Sequence, residues 1–176
     1  YRAGRNITTG IRNIAIGASA ADTLTTGIDN IAIGYQALAT EDTHSYNTAI
    51  GHQTLKAQDA GADAYNVAMG YRAGYAVTSG VQNTLVGGLA GDALTTGSYN
   101  VALGYKALTT EDAHGLNTAV GAYALEYLNA GANAYNTAIG YNAGNAMTSG
   151  INNTLIGGNA GVSILSANDN VCIGTY

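Results

Sequence analysis

The stretch Asn47-Thr48-Ala49-Ile50-Gly51 decides how this chain is read, because it returns unchanged at 136–140 and in variant form at eight further places. The pentad starts at Asn13, Asn30, Asn47, Asn66, Asn83, Asn100, Asn117, Asn136, Asn153 and Asn170. It closes on Gly17, Gly34, Gly51, Gly70, Gly87, Gly104, Gly121, Gly140, Gly157 and Gly174. The interval between starts is constant except for the two longer steps from Asn47 to Asn66 and from Asn117 to Asn136, so the pattern of intervals itself recurs. Residues 1–70 and 71–140 align without a gap and 141–176 begin a third copy. Self-similarity of this kind marks one repetitive segment over 1–176 rather than several domains. Because Tyr1 and Tyr176 both fall inside a unit, the segment is expected to be a fragment of a longer fibre.

The columns of the repeat point to strands. Position two is Ile, Thr or Val in every copy, and β-branched side chains favour extended backbone. Position four is always bulky and aliphatic: Ile16, Ile33, Ile50, Met69, Val86, Leu103, Val120, Ile139, Ile156 and Ile173. Alternation along a strand puts positions two and four on one face, which is expected to form the core. Position three is Ala except for Leu85, Leu155 and Cys172, and is expected to face a closely packed neighbour. The closing Gly predicts a turn, with a near-constant Ala three residues later (Ala20, Ala37, Ala73, Ala90, Ala107, Ala124, Ala143, Ala160). A Thr-Thr-Gly or Thr-Ser-Gly ending at Gly10, Gly27, Gly80, Gly97 and Gly150 predicts another corner. A coil this short cannot bury a core alone, so order must come from stacking coil on coil, with identical columns about 4.8 Å apart. Asn recurring in register is expected to add a side-chain amide ladder. The fold class is therefore all-β, a parallel β-solenoid (β-roll or β-helix) of about ten stacked coils of about 17–19 residues.

Composition narrows the function. The chain carries 25 Gly and no Pro, which supplies bends yet leaves every amide able to join a ladder. A net charge of -5 is the wrong sign for nucleic acid or anionic lipid, so neither is expected as a partner. No apolar run approaches the roughly 20 residues of a membrane-spanning helix, so no membrane insertion is expected in this segment. The lone Cys172 excludes an intrachain disulfide, and is expected to be a small buried hydrophobe.

The run Asn-Thr-Ala-Ile-Gly at 47–51 and 136–140, with Asn-Ile-Ala-Ile-Gly at 13–17 and 30–34, resembles the head repeat of trimeric autotransporter adhesins of the YadA type. It is also similar to the Asn-Thr-Ala-Ile-Gly-Tyr repeats of bacteriophage tail fibres. The adhesin head unit is shorter than the unit found here. The resemblance covers essentially the whole chain and implies a left-handed parallel β-roll, three chains side by side, exposed outside a cell or on a virion.

Residues able to carry chemistry recur with the repeat. His44 and His114 occupy equivalent corners, in Glu-Asp-Thr-His and Glu-Asp-Ala-His, without the neighbouring ligands of a strong metal motif. Both are expected to be solvated corners, with no metal. The pairs Glu41/Asp42 and Glu111/Asp112 lack a nucleophile beside them, and catalysis needs unique converging groups rather than copies strung along a rod. No enzyme activity and no cofactor are expected. Tyr35, Tyr71, Tyr105 and Tyr141 are expected to cover the turn or seal a chain interface, and His52 to lie on the surface. Asn6 and Asn152 head candidate glycosylation sequons.

The expected function is a structural, non-catalytic shaft or head of an extracellular, cell-surface or virion fibre. Its expected partners are further copies of itself, as homotrimer or filament, and a cell-surface or glycan receptor. A self-assembling extracellular filament is the alternative. An ice-binding solenoid is a lesser one, because the Thr-Thr-Gly column skips the coils ending at Asn47, Asn66, Asn117 and Asn136.

Overall fold

A computed structural model describes residues 2–175; Tyr1 and Tyr176 lie outside the described residues. The middle three residues of each pentad form a strand: β1 (Ile14–Ile16), β2 (Ile31–Ile33), β3 (Thr48–Ile50), β4 (Val67–Met69), β5 (Thr84–Val86), β6 (Val101–Leu103), β7 (Thr118–Val120), β8 (Thr137–Ile139), β9 (Thr154–Ile156) and β10 (Val171–Ile173). They join in sequence order into one ten-stranded parallel sheet, the wall of a β-solenoid. Register is kept residue for residue, with Ile14 opposite Ile31 and Thr154 opposite Val171. The extra residues of a longer coil do not disturb it, since Thr48 still faces Val67.

Hydrogen bonds run from coil to coil around the whole circuit. Ile31 N–H donates to Asn47 O at 2.8 Å, Gly34 N–H to Ile16 O at 2.7 Å, and Leu38 N–H to Thr54 O at 3.0 Å. Each closing Gly adopts φ between +119 and +140°, a conformation that side chains rarely enter. The residue just before each Asn is left-handed, at φ of 51–66°, although none of the ten is Gly. Such a conformation costs about 1–2 kcal/mol per residue and persists because the stack above and below fixes it. The Gly of Thr-Thr-Gly follows a bend, as at Thr25 and Thr26 and at Thr95 and Thr96, but it is not there for its conformational freedom. Gly27 and Gly97 lack a positive φ, but a Cβ on either would strike the carbonyl oxygen of His44 or His114 in the next coil.

The expected core columns are corrected. Ile16, Ile33, Ile50, Met69, Val86, Leu103, Val120, Ile139, Ile156 and Ile173 are exposed or half-buried, as are their position-two companions, and none is buried. The third position points inward instead: Ala32, Ala49, Ala68, Leu85, Ala102, Ala119, Ala138 and Leu155 are wholly buried. Volume explains the inversion. So short a coil encloses a thin interior, and the opposite wall fills it with Leu24, Leu38, Leu55, Leu94, Leu108, Leu125, Leu128, Val77 and Met147. Only Ala on the strand wall leaves them room. Where the strand carries Leu85 or Leu155, the facing positions are Gly74 and Gly91, or Gly144 and Gly161, whose missing Cβ atoms would lie within 3.0 Å of the leucine.

The Asn ladder also differs from the amide-to-amide stack expected. Oδ1 of each Asn accepts the backbone N–H of the next, as from Asn100 to Asn83 at 2.9 Å and from Asn153 to Asn136 at 2.9 Å. Its Nδ2 most often donates to a corner carbonyl of the following coil, as from Asn83 to Gly97 at 2.9 Å. Direct amide pairing joins only the last three rungs, Asn170 to Asn153 and Asn153 to Asn136. Asn83→Ala would leave the buried Asn100 N–H and Gly97 C=O without partners. We expect it to lower the unfolding free energy by about 2–3 kcal/mol in urea denaturation followed by circular dichroism.

Candidate functional site

Two features of the solenoid stand out as places where something else can bind. The first is the outer face of the sheet. Positions two and four of all ten strands form two parallel apolar or β-branched columns, with Ile16 58%, Met69 44% and Leu103 45% exposed. Exposed tyrosines border it on both sides. Tyr35, Tyr71, Tyr105 and Tyr141 follow the closing Gly, and Tyr46, Tyr65, Tyr99 and Tyr135 precede the Asn. Neighbouring rings support one another. Tyr46 stacks on Tyr65 with centroids 4.9 Å apart, and His52 lies between Tyr35 and Tyr71 at 5.1 and 5.4 Å. His52 is therefore exposed, but as part of an aromatic column. The face between these tyrosines carries a continuous aliphatic column at position four.

The second feature is the histidine corner. Glu41 occupies a column that is aliphatic in most coils (Ile7, Leu24, Val77, Leu94, Leu128, Met147, Ile164), and so does Glu111. Both carboxylates are consequently buried at 0% exposure, which corrects the expectation of a plainly solvated corner. His44 sits above Glu41, its Nδ1 2.7 Å from Oε1, and its backbone N–H donates to the same oxygen at 3.1 Å. At the second corner His114 Nδ1 stands 3.2 Å from Glu111 Oε1. Burial pushes the Glu41 carboxyl above the ordinary glutamate range, and the hydrogen bonds and charge of His44 offset part of that rise.

Each of the two longer coils lies directly on one of these corners, and its extra residues form a projecting loop around Gly61 or Gly131. From this loop Asp63 Oδ1 accepts the Ser45 N–H at 3.1 Å, and Asn133 Oδ1 accepts the Gly115 N–H at 3.0 Å. Asp59 Oδ1 arrives 3.9 Å from His44 Nδ1, a neighbour that the sequence pattern does not bring to the corner. The available signal is the lengthening itself, which falls in the coil after each His and nowhere else.

The remaining candidates are scattered. Asn6 and Asn152 are exposed, with Asn6 Nδ2 donating to Asp22 O at 2.8 Å and Asn152 Nδ2 to Asp169 Oδ1 at 3.1 Å. Cys172 is half-buried rather than buried, because it lies on the last strand, where no further coil covers it. Among the described residues no helix is long and apolar enough to cross a membrane. No family model, curated protein or solved structure matches the chain.

Proposed function

We propose that this chain is a structural, non-catalytic fibre segment that packs through its outer strand face against further copies of itself, holding an attachment surface away from a cell or virion. One observation carries the reading: the apolar stripe runs uninterrupted from β1 to β10. Ten strands at about 4.8 Å spacing make it roughly 48 Å long, and the strand with its tyrosine borders makes it about 17 Å wide. That area, about 800 Å², equals what one partner contributes to a standard protein interface. Three copies is the number that the resemblance to adhesin heads implies, and a filament of copies is the alternative arrangement. The extracellular, cell-surface or virion setting rests on the same resemblance.

Leu103→Lys places a charge at the centre of the stripe without touching the core. Size-exclusion chromatography with light scattering should show the unaltered chain as an oligomer and the variant as a monomer, at least tenfold weaker in association, with unchanged circular dichroism. An unaltered chain that stays monomeric at 100 µM overturns the reading. A second reading, ice binding, draws on the same face. Its position-two column is β-branched throughout and includes Thr48, Thr84, Thr118, Thr137 and Thr154, an array distinct from the broken Thr-Thr-Gly column. Thermal hysteresis in the monomeric variants would favour it.

A further inference from the structure

The repeat abandons its period at the histidine corners, and the two corners differ from one another in a way that singles out the first. At that corner His44 Nδ1 stands 2.7 Å from Glu41 Oε1, 4.0 Å from Asp42 Oδ1 and 3.9 Å from Asp59 Oδ1. All four donor atoms lie within 4.8 Å of one another. A tetrahedral ion with bonds of about 2.0–2.1 Å sets its donors about 3.3–3.4 Å apart. The closure required is under about 1.5 Å, within the rotamer freedom of aspartates as exposed as Asp42 and Asp59. Independently of the cluster, the Glu41 side chain is fully buried with its carboxylate aimed at the histidine, and its second oxygen, Oε2, has no hydrogen-bond partner. Leaving such an oxygen unpaired is costly, and an ion held by both carboxylate oxygens, with the other three donors making it five-coordinate, would satisfy it. Among the described residues, His44 Nδ1 is the basic nitrogen that faces all three carboxylates, and no Lys or Arg lies in ion-pair reach of them.

The second corner keeps a buried glutamate beside its histidine, and Glu111, Asp112 and His114 also cluster, but it lacks the fourth donor and the unpaired oxygen. Asn129 stands where the first has Asp59, and Ala113 where it has Thr43. Glu111 Oε2 is already satisfied by the Ala130 N–H at 3.2 Å. Thr43 Oγ1, by contrast, donates to Asp42 Oδ1 at 3.0 Å and lies 3.4 Å from His44 Nε2, so that it can orient both side chains.

We propose that Glu41, Asp42, His44 and Asp59 bind one divalent transition-metal ion of the zinc type, and that the Glu111/Asp112/His114 corner does not. One imidazole nitrogen among carboxylate oxygens suits zinc-class ions better than calcium or magnesium, which take oxygen ligands throughout. As the metal–Nδ1 bond forms, the proton that Nδ1 shares with Glu41 leaves to solvent. The ion would clamp the loop of one coil onto the corner of the coil before it, at a place where the backbone ladder is interrupted by the insertion.

Titrating zinc chloride alone into the metal-stripped 176-residue chain, by calorimetry and by equilibrium dialysis, tests this. One ion per chain at micromolar affinity or better is expected. Asp59→Asn, which copies the second corner, should weaken binding at least tenfold, whereas Asn129→Asp should raise the stoichiometry towards two. Both changes fall on the exposed loop, so circular dichroism should be unaltered. The monomeric Leu103→Lys variant should bind zinc as the unaltered chain does, which separates this site from self-association. No binding at 100 µM zinc, or equal affinity in Asp59→Asn, overturns the proposal.

Discussion

Gly104→Ala abolishes the cooperative unfolding transition or lowers stability by at least about 4 kcal/mol, the size reserved for a small set of severe mechanisms. Two of them act together here. Gly104 has φ of +140°, which an alanine enters only under strain, and its Cβ would lie 2.5 Å from Gly121 O and 2.6 Å from Gly121 C. Those atoms are backbone of the next coil, so they cannot swing aside as a side chain end would. Relief requires separating two coils, which breaks the hydrogen bonds of Gly121 and Tyr123 N–H to Leu103 and Tyr105 O. Gly158→Ala is the matched control. Its added Cβ meets nothing within 4 Å and its φ is not positive, so a change within about 0.5 kcal/mol is expected. Urea denaturation of the two variants side by side checks both, and equal effects would mean that coil spacing is not what Gly104 protects.

Leu85→Ala should cost about 3–4 kcal/mol, and a second substitution should return more than half of it, because truncation leaves a cavity that a hydrogen-bonded solenoid wall cannot collapse to fill. Leu85 is fully buried, and its methyl groups occupy the space beside Gly74 and Gly91. The equivalents of Gly91 in four other coils are Leu38, Leu55, Leu108 and Leu125, all left-handed at φ of 47–52° and all paired with Ala on the strand. Gly91, at φ +56°, has the backbone to accept leucine. The chain Leu85→Ala/Gly91→Leu therefore recreates an arrangement already present elsewhere in the stack, although Leu94 Cδ1, 2.8 Å from the new Cβ, must turn aside. Leu125 and Leu128 show that both positions can hold leucine in one coil. Thermal and urea midpoints of the two single variants and the double variant form the cycle that measures this coupling. Additive losses would show that the leucine–glycine exchange is not a matter of volume.

Period, strand positions and the closing turn are legible from the pentad, because β-branched residues flanking a small one and ending in Gly leave little else for the backbone to do. Sidedness is not. Alternation places Ile14 and Ile16 on one face and Ala15 on the other, but both faces are apolar, so hydrophobicity alone does not say which is inside. The answer lies in volume, in the exchange between Leu85 or Leu155 and their facing glycines, and in the aliphatic column at Leu24, Val77, Leu94 and Met147. The same column explains why Glu41 reads as a surface charge in the sequence yet is interior in the fold. Its neighbours Asp42 and His44 look solvated, whereas its own place in the stack is inside. Asp59 is harder still to foresee, since it reaches the corner only through the insertion, remote from His44 along the chain but adjacent in the pile.

The loops that project from every fourth coil also act as graduations on a ruler. Two rods laid face to face meet the same contour again after a slide of four coils, about 19 Å, but meet protrusions out of step at any shorter slide. For copies packed side by side as proposed, this would leave a discrete set of offsets, and a staggered bundle built on them would grow lengthwise without any rod needing to be longer than its neighbours.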